Sequence, residues 1–490
     1  MATPCIKLHL AAAILFALTL PATMREVAAA EPAVSRDEAL SAMRRAGDYY
    51  RKVVATHGGY VYFYSLDLER RLGEGVASKD QIWVQPPGTP TVGLAFVEAW
   101  RATGDSRYLQ AAQAAAEALA YGQVSTGGWT NSIDFDPRGS RVTEYRNGQG
   151  RGRRTSSLDD GQTPSALRLL IQVDKELKFR NPIVHDAALF GLDALLRAQY
   201  PNGAFPQVWD DTEMPDPPAK PAAFPRYDWR TEGRIKEYWD MYTLNDNVAG
   251  YVVQTLRDAY DVYGDERYLA AIRHLGDFLI AAQLPAPQRG WAQQYSYDMV
   301  PIWARKFEPP GVSGDETQEV VETLLAIHSI TGETKYLEPI PAALDYLKQS
   351  LLPDGRLARY YELETNRPLY MERQGDVYSL TYDDSNLPSH YGWKANSRIE
   401  HLTAMHAAAR QQPASNENST ANSAADNVAP AANEVRKLLE TLDAQGRWVS
   451  TYAGETLVGQ AKFEPGEQYL SSEVFSDNLT TLARYLTSLE

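Results

Sequence analysis

The chain has 490 residues and only one cysteine. Cys5 lies near the N-terminus, in a segment that we expect to be removed, so we expect neither a disulfide nor a thiol nucleophile in the mature protein. The eight histidines are scattered, and no His-Glu-x-x-His pattern indicates a zinc hydrolase. No Gly-x-Ser-x-Gly turn indicates a serine hydrolase either. The chemistry must therefore use other side chains.

Basic residues are in deficit. Lysine and arginine number 48 against 63 aspartates and glutamates, which gives a formal net charge of −15. This charge disfavours nucleic acid as a partner, because a phosphate-binding face needs a basic excess. An acidic ligand would have to be held locally, by divalent cations or by arginines. The available arginines are Arg151, Arg153, Arg154, Arg305, Arg359 and Arg373.

Long apolar runs are absent beyond the N-terminus. There, Lys7 precedes an apolar run over residues 10–20, and small residues follow at 27–30. This pattern predicts a signal peptide over residues 1–30 and a secreted or periplasmic protein. The alternative is an N-terminal anchor helix, but the run is shorter than the ~20 residues that span a bilayer. We therefore expect no membrane partner.

A short phrase recurs along the chain. Thr103–Leu109, Tyr263–Leu269 and Thr331–Leu337 share a glycine, a polar residue after it and a Tyr-Leu pair. Each phrase separates two apolar helical patterns, so the glycine should end one helix and the residue after it should cap the next. A second recurring phrase, a glycine followed by an aromatic or other apolar residue, comes after the second helix of each pair, as in Gly128-Trp129 and Gly290-Trp291.

Repeated helix pairs with such loops predict an all-α fold, an α/α toroid whose longer loops gather on one face as a cleft. An open helical solenoid is the alternative. We expect one catalytic domain over residues 31–490, with a proline-rich loop at 210–227 and a low-complexity insertion at about 411–433. A division into two domains is the other possibility.

Charged residues stand out in four loop segments. Asp159, Asp160 and Asp246 lie just before helical patterns, where helix capping is the commonest role of an aspartate. Three arginines lie in aromatic-rich loops. Arg305 could simply pair with Glu308, Arg373 could pair with Glu362 or Glu372, and Arg359 could be a loop-surface arginine. Taken together, carboxylates to hold a cation and arginines to bind an anion suggest a site for an acidic polymer.

The ordered segments resemble the family 10 polysaccharide lyases, the pectate lyases, from about Gly127 to Trp393. The segments that carry the resemblance are Gly128-Trp129, Ile133-Asp134, Leu158-Asp159-Asp160-Gly161-Gln162-Thr163, Ala198-Gln199-Tyr200-Pro201-Asn202-Gly203, Thr243-Leu244-Asn245-Asp246-Asn247, Ala304-Arg305-Lys306-Phe307-Glu308 with Ser313-Gly314, Ala358-Arg359-Tyr360-Tyr361-Glu362, Arg373 before Gly375, and Tyr391-Gly392-Trp393. Their order and chemistry are more specific than any one of them.

The resemblance implies endo-acting β-elimination on polygalacturonate with calcium at the cleft. It implies that Asp159 and Asp246 bind the cation and that Arg305 removes the proton at C5. An arginine base is unusual, because a guanidinium normally stays protonated. The resemblance also implies substrate contacts by Arg359 and Arg373. Asp160, which stands where the family usually has an asparagine, is a further candidate for substrate binding.

Aromatic residues in the loops are candidates for stacking on sugar rings, although most aromatics of a toroid fill its core. Tyr361 is included among the predicted substrate-binding residues. The full set is Trp129, Trp209, Trp239, Tyr295, Trp303, Tyr361 and Trp393. One departure from the family weakens an expected contact: a lysine common after Gly-Gly-Trp is replaced here by Thr130-Asn131-Ser132.

Two other functions remain open. A glycoside hydrolase on the same scaffold would use two carboxylates about 5–5.5 Å or about 6.5–9.5 Å apart. The pair would come from Asp159, Asp160, Asp246, Asp298 and Glu308. A non-catalytic glycan-binding protein would bind pectin in the presence of calcium without turnover. We expect a monomer and an acidic polysaccharide, polygalacturonate or pectin, as the partner.

Overall fold

The computed structural model describes residues 34–146, 155–213, 215–232, 234–411 and 430–489. The predicted signal peptide, the arginines at 151, 153 and 154, and most of the predicted insertion lie outside these residues. Val34–Glu490 forms one compact unit. Within the described ranges, no helix combines the length and the apolar character needed to cross a bilayer.

Helices dominate the described part of the chain. They are α1 (Arg36–Tyr49), α2 (Thr89–Thr103), α3 (Ser106–Tyr121), α4 (Gln162–Glu176), α5 (Pro182–Arg197), α6 (Trp229–Glu232), α7 (Val248–Tyr263), α8 (Glu266–Ala282), α9 (Gly314–Thr331), α10 (Ile340–Gln349), α11 (Ile399–Gln411), α12 (Ala432–Thr441) and α13 (Ser472–Ser488). A short π-helical segment, Tyr50–Val54, extends α1.

The long helices pack as consecutive pairs. Helix α2 packs on α3, α4 on α5, and α7 on α8, so each pair is an antiparallel hairpin of neighbours in sequence. The first helices of the pairs also pack on one another in chain order, α2 on α4, α4 on α7, α7 on α9 and α9 on α11. Helix α13 packs on α2. The repeat in the sequence therefore corresponds to a repeat of helix pairs in space.

The recurring glycine phrase does what the sequence predicts at two of its three copies. Gly104 and Gly264 end α2 and α7 with left-handed backbone angles (φ 64° and 68°). Asp105 and Asp265 then cap α3 and α8, each accepting a hydrogen bond from the backbone two residues on. At the third copy Gly332 ends α9, but the chain continues in a 3-10 turn without a side-chain cap.

Short strands occur between the helices, so the prediction of an all-α fold is too narrow. They are β1 (Phe63–Ser65), β2 (Arg71–Leu72), β3 (Val76–Ala77), β4 (Gln81–Trp83), β5 (Ser132–Asp134), β6 (Ser156–Ser157), β7 (Val208–Trp209), β8 (Tyr242–Thr243), β9 (Trp291–Ala292), β10 (Gln294–Tyr295), β11 (Val312–Ser313), β12 (Leu357–Ala358), β13 (Tyr360–Tyr361), β14 (Pro368–Gln374), β15 (Val377–Thr381), β16 (Lys394–Ala395), β17 (Val449–Thr451) and β18 (Gln468–Ser471).

These strands pair mostly between loops that are far apart in sequence. The two larger sheets have the orders β17-β18-β1-β2-β3 and β15-β14-β13-β11-β9. The remaining pairs include β6 with β7 and β8 with β10, all antiparallel. The pairings join the loop before one helix pair to the loop after it, which brings the polar loop segments together.

Buried tryptophans fix the glycine-aromatic loops. The indole nitrogen of Trp129 donates to the Leu119 carbonyl (2.7 Å), and that of Trp291 donates to the Leu279 carbonyl (2.8 Å). Both rings have no exposed surface. They anchor each loop to the preceding helix, and as buried rings they are not available to stack on a sugar.

We predict that Gly203→Ala destabilises the fold by about 3 kcal/mol or more. Gly203 has a φ of +93°, and a Cβ there would overlap the backbone carbonyl of His274. Gly264→Ala is the matched control, because its φ is +68° but its Cβ would meet no atom within 4 Å. The control should lose only about 1–2 kcal/mol. Urea unfolding monitored by tryptophan fluorescence measures both, and equal losses would contradict the packing argument.

Candidate active site

Two turns of the same unusual shape carry the aspartates. The first turn, Asp159–Gly161, precedes α4, and the second turn, Asn245–Asn247, precedes α7. Asp160 and Asp246 hold the same place in them, with left-handed φ and ψ angles of 47° and 32° and of 52° and 36°. The residue after each aspartate is left-handed as well, which suits a glycine or an asparagine. By position, therefore, Asp159 corresponds to Asn245.

Neither turn uses its aspartate as a helix cap. Gly161 and Asn247 occupy the N-cap positions of α4 and α7, and neither helix has a side-chain cap. The alternative that Asp159 and Asp246 merely cap helices is therefore wrong.

A backbone hydrogen bond holds each turn to the next loop. The Leu158 N–H donates to the Gln207 carbonyl and the Leu244 N–H to the Gln293 carbonyl, both at 2.8 Å. The side chains repeat the pattern, since the Gln207 amide donates to Asp159 and the Gln293 amide donates to Asn245. The loop after each helix pair thus places a glutamine beside the turn that precedes the same pair.

The third copy of this arrangement contains Arg359. The Gly314 N–H donates to the Arg359 carbonyl at 3.2 Å, as in the other copies. The guanidinium then binds Glu316 at 2.7 Å and Asp315 at 3.4 Å, and it lies 5.0 Å from the ring centre of Tyr391. Arg359 therefore occupies the position of Gln207 and Gln293, with its charge largely neutralised.

Arg305 joins the two turns. Its Nη2 lies 3.2 Å from Asp159 Oδ1 and 3.8 Å from Asp246 Oδ2. On its other side, Nη1 lies 3.5 Å from Glu308 Oε1, and the Arg305 backbone N–H donates to Glu308 Oε2 at 3.0 Å. The predicted pairing with Glu308 is confirmed, but the same guanidinium also binds both aspartates. Asp159, Asp246 and Arg305 are therefore brought together, although 146 residues separate the first from the last.

Carboxylates crowd this cluster. Burial, followed by the neighbouring carboxylates of Asp159 and Glu74, raises the pKa of Asp160 to about 6. Burial and the carboxylates of Asp160 and Asp159 also raise the pKa of Asp246. Asp160 accepts a hydrogen bond from the Gln85 amide at 2.7 Å. The negative charge at the turns exceeds what the contacts with Arg305 neutralise.

The protonation of Arg305 follows from the same crowding. Burial works to lower the pKa of its guanidinium. The carboxylates of Glu308, Asp159 and Asp246 outweigh that effect, so the net pKa is raised. In this arrangement Arg305 is a cation.

The donor set fits a hard divalent cation only in part. Oxygen donors such as those of Asp159 and Asp246 are what calcium prefers, and both carboxyl groups lie next to Nη2 of Arg305. Yet no three His, Cys, Asp or Glu side chains of the described ranges form a ready metal cage. A cation here would need further oxygens from a ligand or from water.

Two further predicted substrate-binding residues, Tyr361 and Arg373, differ in exposure. Tyr361 is 1% exposed, and its hydroxyl donates to the Ser350 carbonyl at 2.6 Å, which argues against contact with a substrate. Tyr360 and Tyr361 are neighbours in β13, so their side chains point to opposite faces of the sheet. Arg373 is on β14, 43% exposed and paired with Asp376 at 3.5 Å, rather than with Glu362 or Glu372.

The sequence does not predict a buried polar network that contacts the Arg305 loop. The Tyr360 hydroxyl donates to Gln293, and the Tyr391 hydroxyl donates to Glu308 at 3.2 Å. The two hydroxyls lie 2.8 Å apart. This network connects the Arg305 loop to the second turn. The glycine-aromatic repeat held a signal, because Gln207, Gln293 and Arg359 each stand two residues after the buried residue of their copy.

A family model for the pectic acid lyases matches residues 123–357. The match spans slightly less than half of the chain and includes both turns and Arg305, whereas Arg359 and Arg373 lie beyond its end. The chain is a polysaccharide lyase. The resemblance to the family 10 polysaccharide lyases is confirmed, and the matched segment is the part of this lyase that carries the aspartates and the arginine.

Solved structures of other proteins show weaker similarity. A variant of a family 10 polysaccharide lyase from Cellvibrio cellulosa, in complex with trigalacturonic acid, is 21% identical over 66% of this chain and 97% of its own, with a TM-score of 0.45. A cellobiose 2-epimerase from Spirochaeta thermophila is 14% identical over 93% and 97%, with a TM-score of 0.46. Neither similarity supports an assignment for this lyase. A comparison with curated proteins finds no match.

We predict that Asp160→Asn stabilises the protein at neutral pH. The raised pKa of Asp160 means that its ionised form opposes folding, so wild-type stability falls as pH rises from about 4 through about 6. Asparagine keeps the left-handed turn and can accept from Gln85. The gain should be on the order of 2 kcal/mol above pH 7 and near zero below pH 4.

Chemical unfolding in chelator at pH 4 and pH 7.5 measures the difference. Asp345→Asn on α10 is the control, because the Asp345 side chain is 69% exposed. It should change stability little at either pH. A gain for Asp160→Asn that is the same at both pH values would show that ionisation of Asp160 is not the cause.

Proposed function

We propose that this lyase cleaves polygalacturonate, or a closely related uronan, by calcium-assisted β-elimination with Arg305 as the base. The observation that carries the proposal is the position of Arg305, with contacts to Asp159 and Asp246 from two equivalent turns. The match to the pectic acid lyases over the same residues supports the substrate class.

The reaction class follows from the chemistry of a uronate. The base removes the proton at C5, the electron pair forms a C4–C5 double bond, and the C4–O bond of the glycosidic link breaks. The leaving oxygen takes up a proton, so the products are a new reducing end and a 4,5-unsaturated uronate. Negative charge builds on the substrate carboxylate in the transition state, and groups that stabilise it should dominate the rate enhancement.

In this proposal Asp159 and Asp246 hold the cation, together with oxygens of the substrate and of water. Bound calcium would withdraw charge from the substrate carboxylate and offset the charge of the two aspartates. Asp160 lies beside them and is a candidate for substrate binding, as the sequence suggests. Arg359, which the sequence also predicts to bind substrate, is held in place by Glu316 and Tyr391.

The role of Arg305 as a base sets a strict condition. Its guanidinium is a cation while three carboxylates surround it. It can accept the C5 proton only after it has lost a proton to solvent, and bound calcium would favour that loss by replacing Arg305 as the counter-ion of Asp159 and Asp246. The 3.8 Å contact to Asp246 is longer than a hydrogen bond, so this is the weaker of its two contacts with the turns.

We further propose that the helix pairs close into an α/α toroid and that the loop face forms the cleft. The chain-order packing of the first helices from α2 to α11 and the packing of α13 on α2 support it. From the sequence we also retain the proposals of export through residues 1–30, a monomeric state, and no role for nucleic acid or membrane.

The first test follows ultraviolet absorbance of unsaturated uronate during action on polygalacturonate. We expect absorbance to rise with calcium and to stop with chelator, because the elimination product is conjugated. New reducing ends without absorbance would indicate hydrolysis. Retention on pectin without either signal would indicate a binding protein.

A second test replaces the base. Arg305→Ala should lower kcat by about 10²–10⁴-fold, the usual contribution of a general base, with a smaller change in KM. Arg226→Ala is the control, since Arg226 is an exposed arginine on the loop at 210–227. A loss of less than about tenfold for Arg305→Ala would remove it from the base role.

A third test concerns the cation. Asp159→Asn and Asp246→Asn should each raise the calcium concentration for half-maximal activity by about tenfold or more, because each removes a charged ligand. Asp376→Asn, at a side chain that is 93% exposed, should leave it unchanged. Unaltered calcium activation in both aspartate variants would place the cation elsewhere.

A further inference from the structure

A short segment outside both turns spans the edge of the site. Residues 234–239, here called the strap, follow α6. At the start of the strap, the Ile235 N–H donates to the Trp303 carbonyl (2.9 Å) and Arg234 Nε donates to the Ala304 carbonyl (2.7 Å). At its end, the Trp239 carbonyl accepts from the backbone N–H groups of Gln207 (3.0 Å) and Val208 (2.9 Å).

Both anchor points adjoin the proposed catalytic residues. Ala304 directly precedes Arg305, and the Gln207 side chain donates to Asp159. Between the anchors, Tyr238 lies close enough to Arg305 to contribute to its raised pKa. The strap therefore connects the arginine side of the site to the aspartate side and forms a wall at one edge.

Arg234 carries an unneutralised charge on this wall. It is exposed, and the only hydrogen bond recorded for its guanidinium in the described ranges goes to a neutral carbonyl. The nearby arginines differ, because Arg230 pairs with Glu362 and Arg373 pairs with Asp376. A single bond from Nε leaves the two terminal nitrogens of Arg234 available to a ligand.

The unused nitrogens suit a carboxylate. A guanidinium presents parallel N–H groups whose spacing matches the two oxygens of a carboxylate. The strap also carries Trp239, whose side chain is 43% exposed, and such a ring can cover the apolar face of a sugar. In a chain with a net charge of −15, an unpaired arginine beside the site is a specific attraction for an acidic ligand.

We propose that Arg234 binds a uronate carboxylate of the polymer on a sugar next to the one that is cleaved, so that the strap forms a further subsite. This inference rests on the proposed function, because it assumes an acidic polysaccharide in the cleft. Arg234 also positions the Arg305 loop through the Ala304 carbonyl, and the two roles are separable by substitution.

The test uses Arg234→Ala, Arg234→Lys and Arg234→Gln in the full-length enzyme. Lysine keeps the charge, whereas glutamine keeps an amide donor for Ala304 without the charge. Arg226→Ala is the matched control, because Arg226 is an exposed arginine on the loop at 210–227. The measurements are kcat and KM on polygalacturonate and retardation during native electrophoresis in gels that contain polygalacturonate.

We expect Arg234→Ala and Arg234→Gln to raise KM by about tenfold and to weaken retardation, since each removes a charged hydrogen bond to the substrate carboxylate. Arg234→Lys should recover part of the loss, and the control should match wild type. Unchanged KM and retardation in Arg234→Ala would overturn the proposal. So would full recovery by glutamine, because only the bond to Ala304 would then matter.

Measurements on the wild-type enzyme distinguish failure of the subsite proposal from failure of the proposed lyase function. If wild type produces no unsaturated uronate and shows no retardation, the proposed function fails first. If wild type is active and retarded while Arg234→Ala behaves identically, only the subsite on the strap is wrong. A fall in kcat alone, with KM unchanged, would assign Arg234 to positioning and overturn its contact with substrate.

Discussion

The site depends on one repeated backbone hydrogen bond, from the residue that opens each turn to the carbonyl of the next glycine-aromatic loop. The Leu158–Gln207 and Leu244–Gln293 bonds fix the turns relative to the loops, and the buried Trp129 and Trp291 fix the loops relative to the helices. Because the backbone sets these positions, side chains can vary between copies. One copy therefore carries Arg359 where two others carry glutamine.

These turns and loops bring together a cluster of carboxylates that lowers the stability of the folded protein. Burial and neighbouring carboxylates raise the pKa values of Asp160 and Asp246, and the positive charge of Arg305 offsets this only in part. Buried groups whose pKa values are strongly shifted by like charges are typical of functional sites. The same contacts make Arg305 a cation, so the cluster is set for chemistry only when another positive charge joins it.

The loops around the cluster differ in how tightly their charges are held. Arg359 is buried against Glu316, so it acts within the protein. Arg373 lies on an exposed strand, with its ring partner Tyr378 at 5.5 Å. Arg234 lies on the strap with a neutral partner and is free to meet a ligand. Under the proposed function, this graded burial would let an acidic protein bind an acidic polymer, because the positive charge is local and lies at the edge of the site.

The sequence by itself determined what depends on neighbours along the chain. Glycine ends α2 and α7, Asp105 and Asp265 cap the helices that follow, and the ordered motifs identify the lyase family. Tertiary structure decided the rest, because it joins residues far apart in sequence. It set Asp160 and Asp246 in equivalent turns, brought Arg305 to Asp159, and buried Tyr361 while Tyr360 faced the site. Such contacts follow from how loops pair across helix pairs, which periodicity along the chain does not encode.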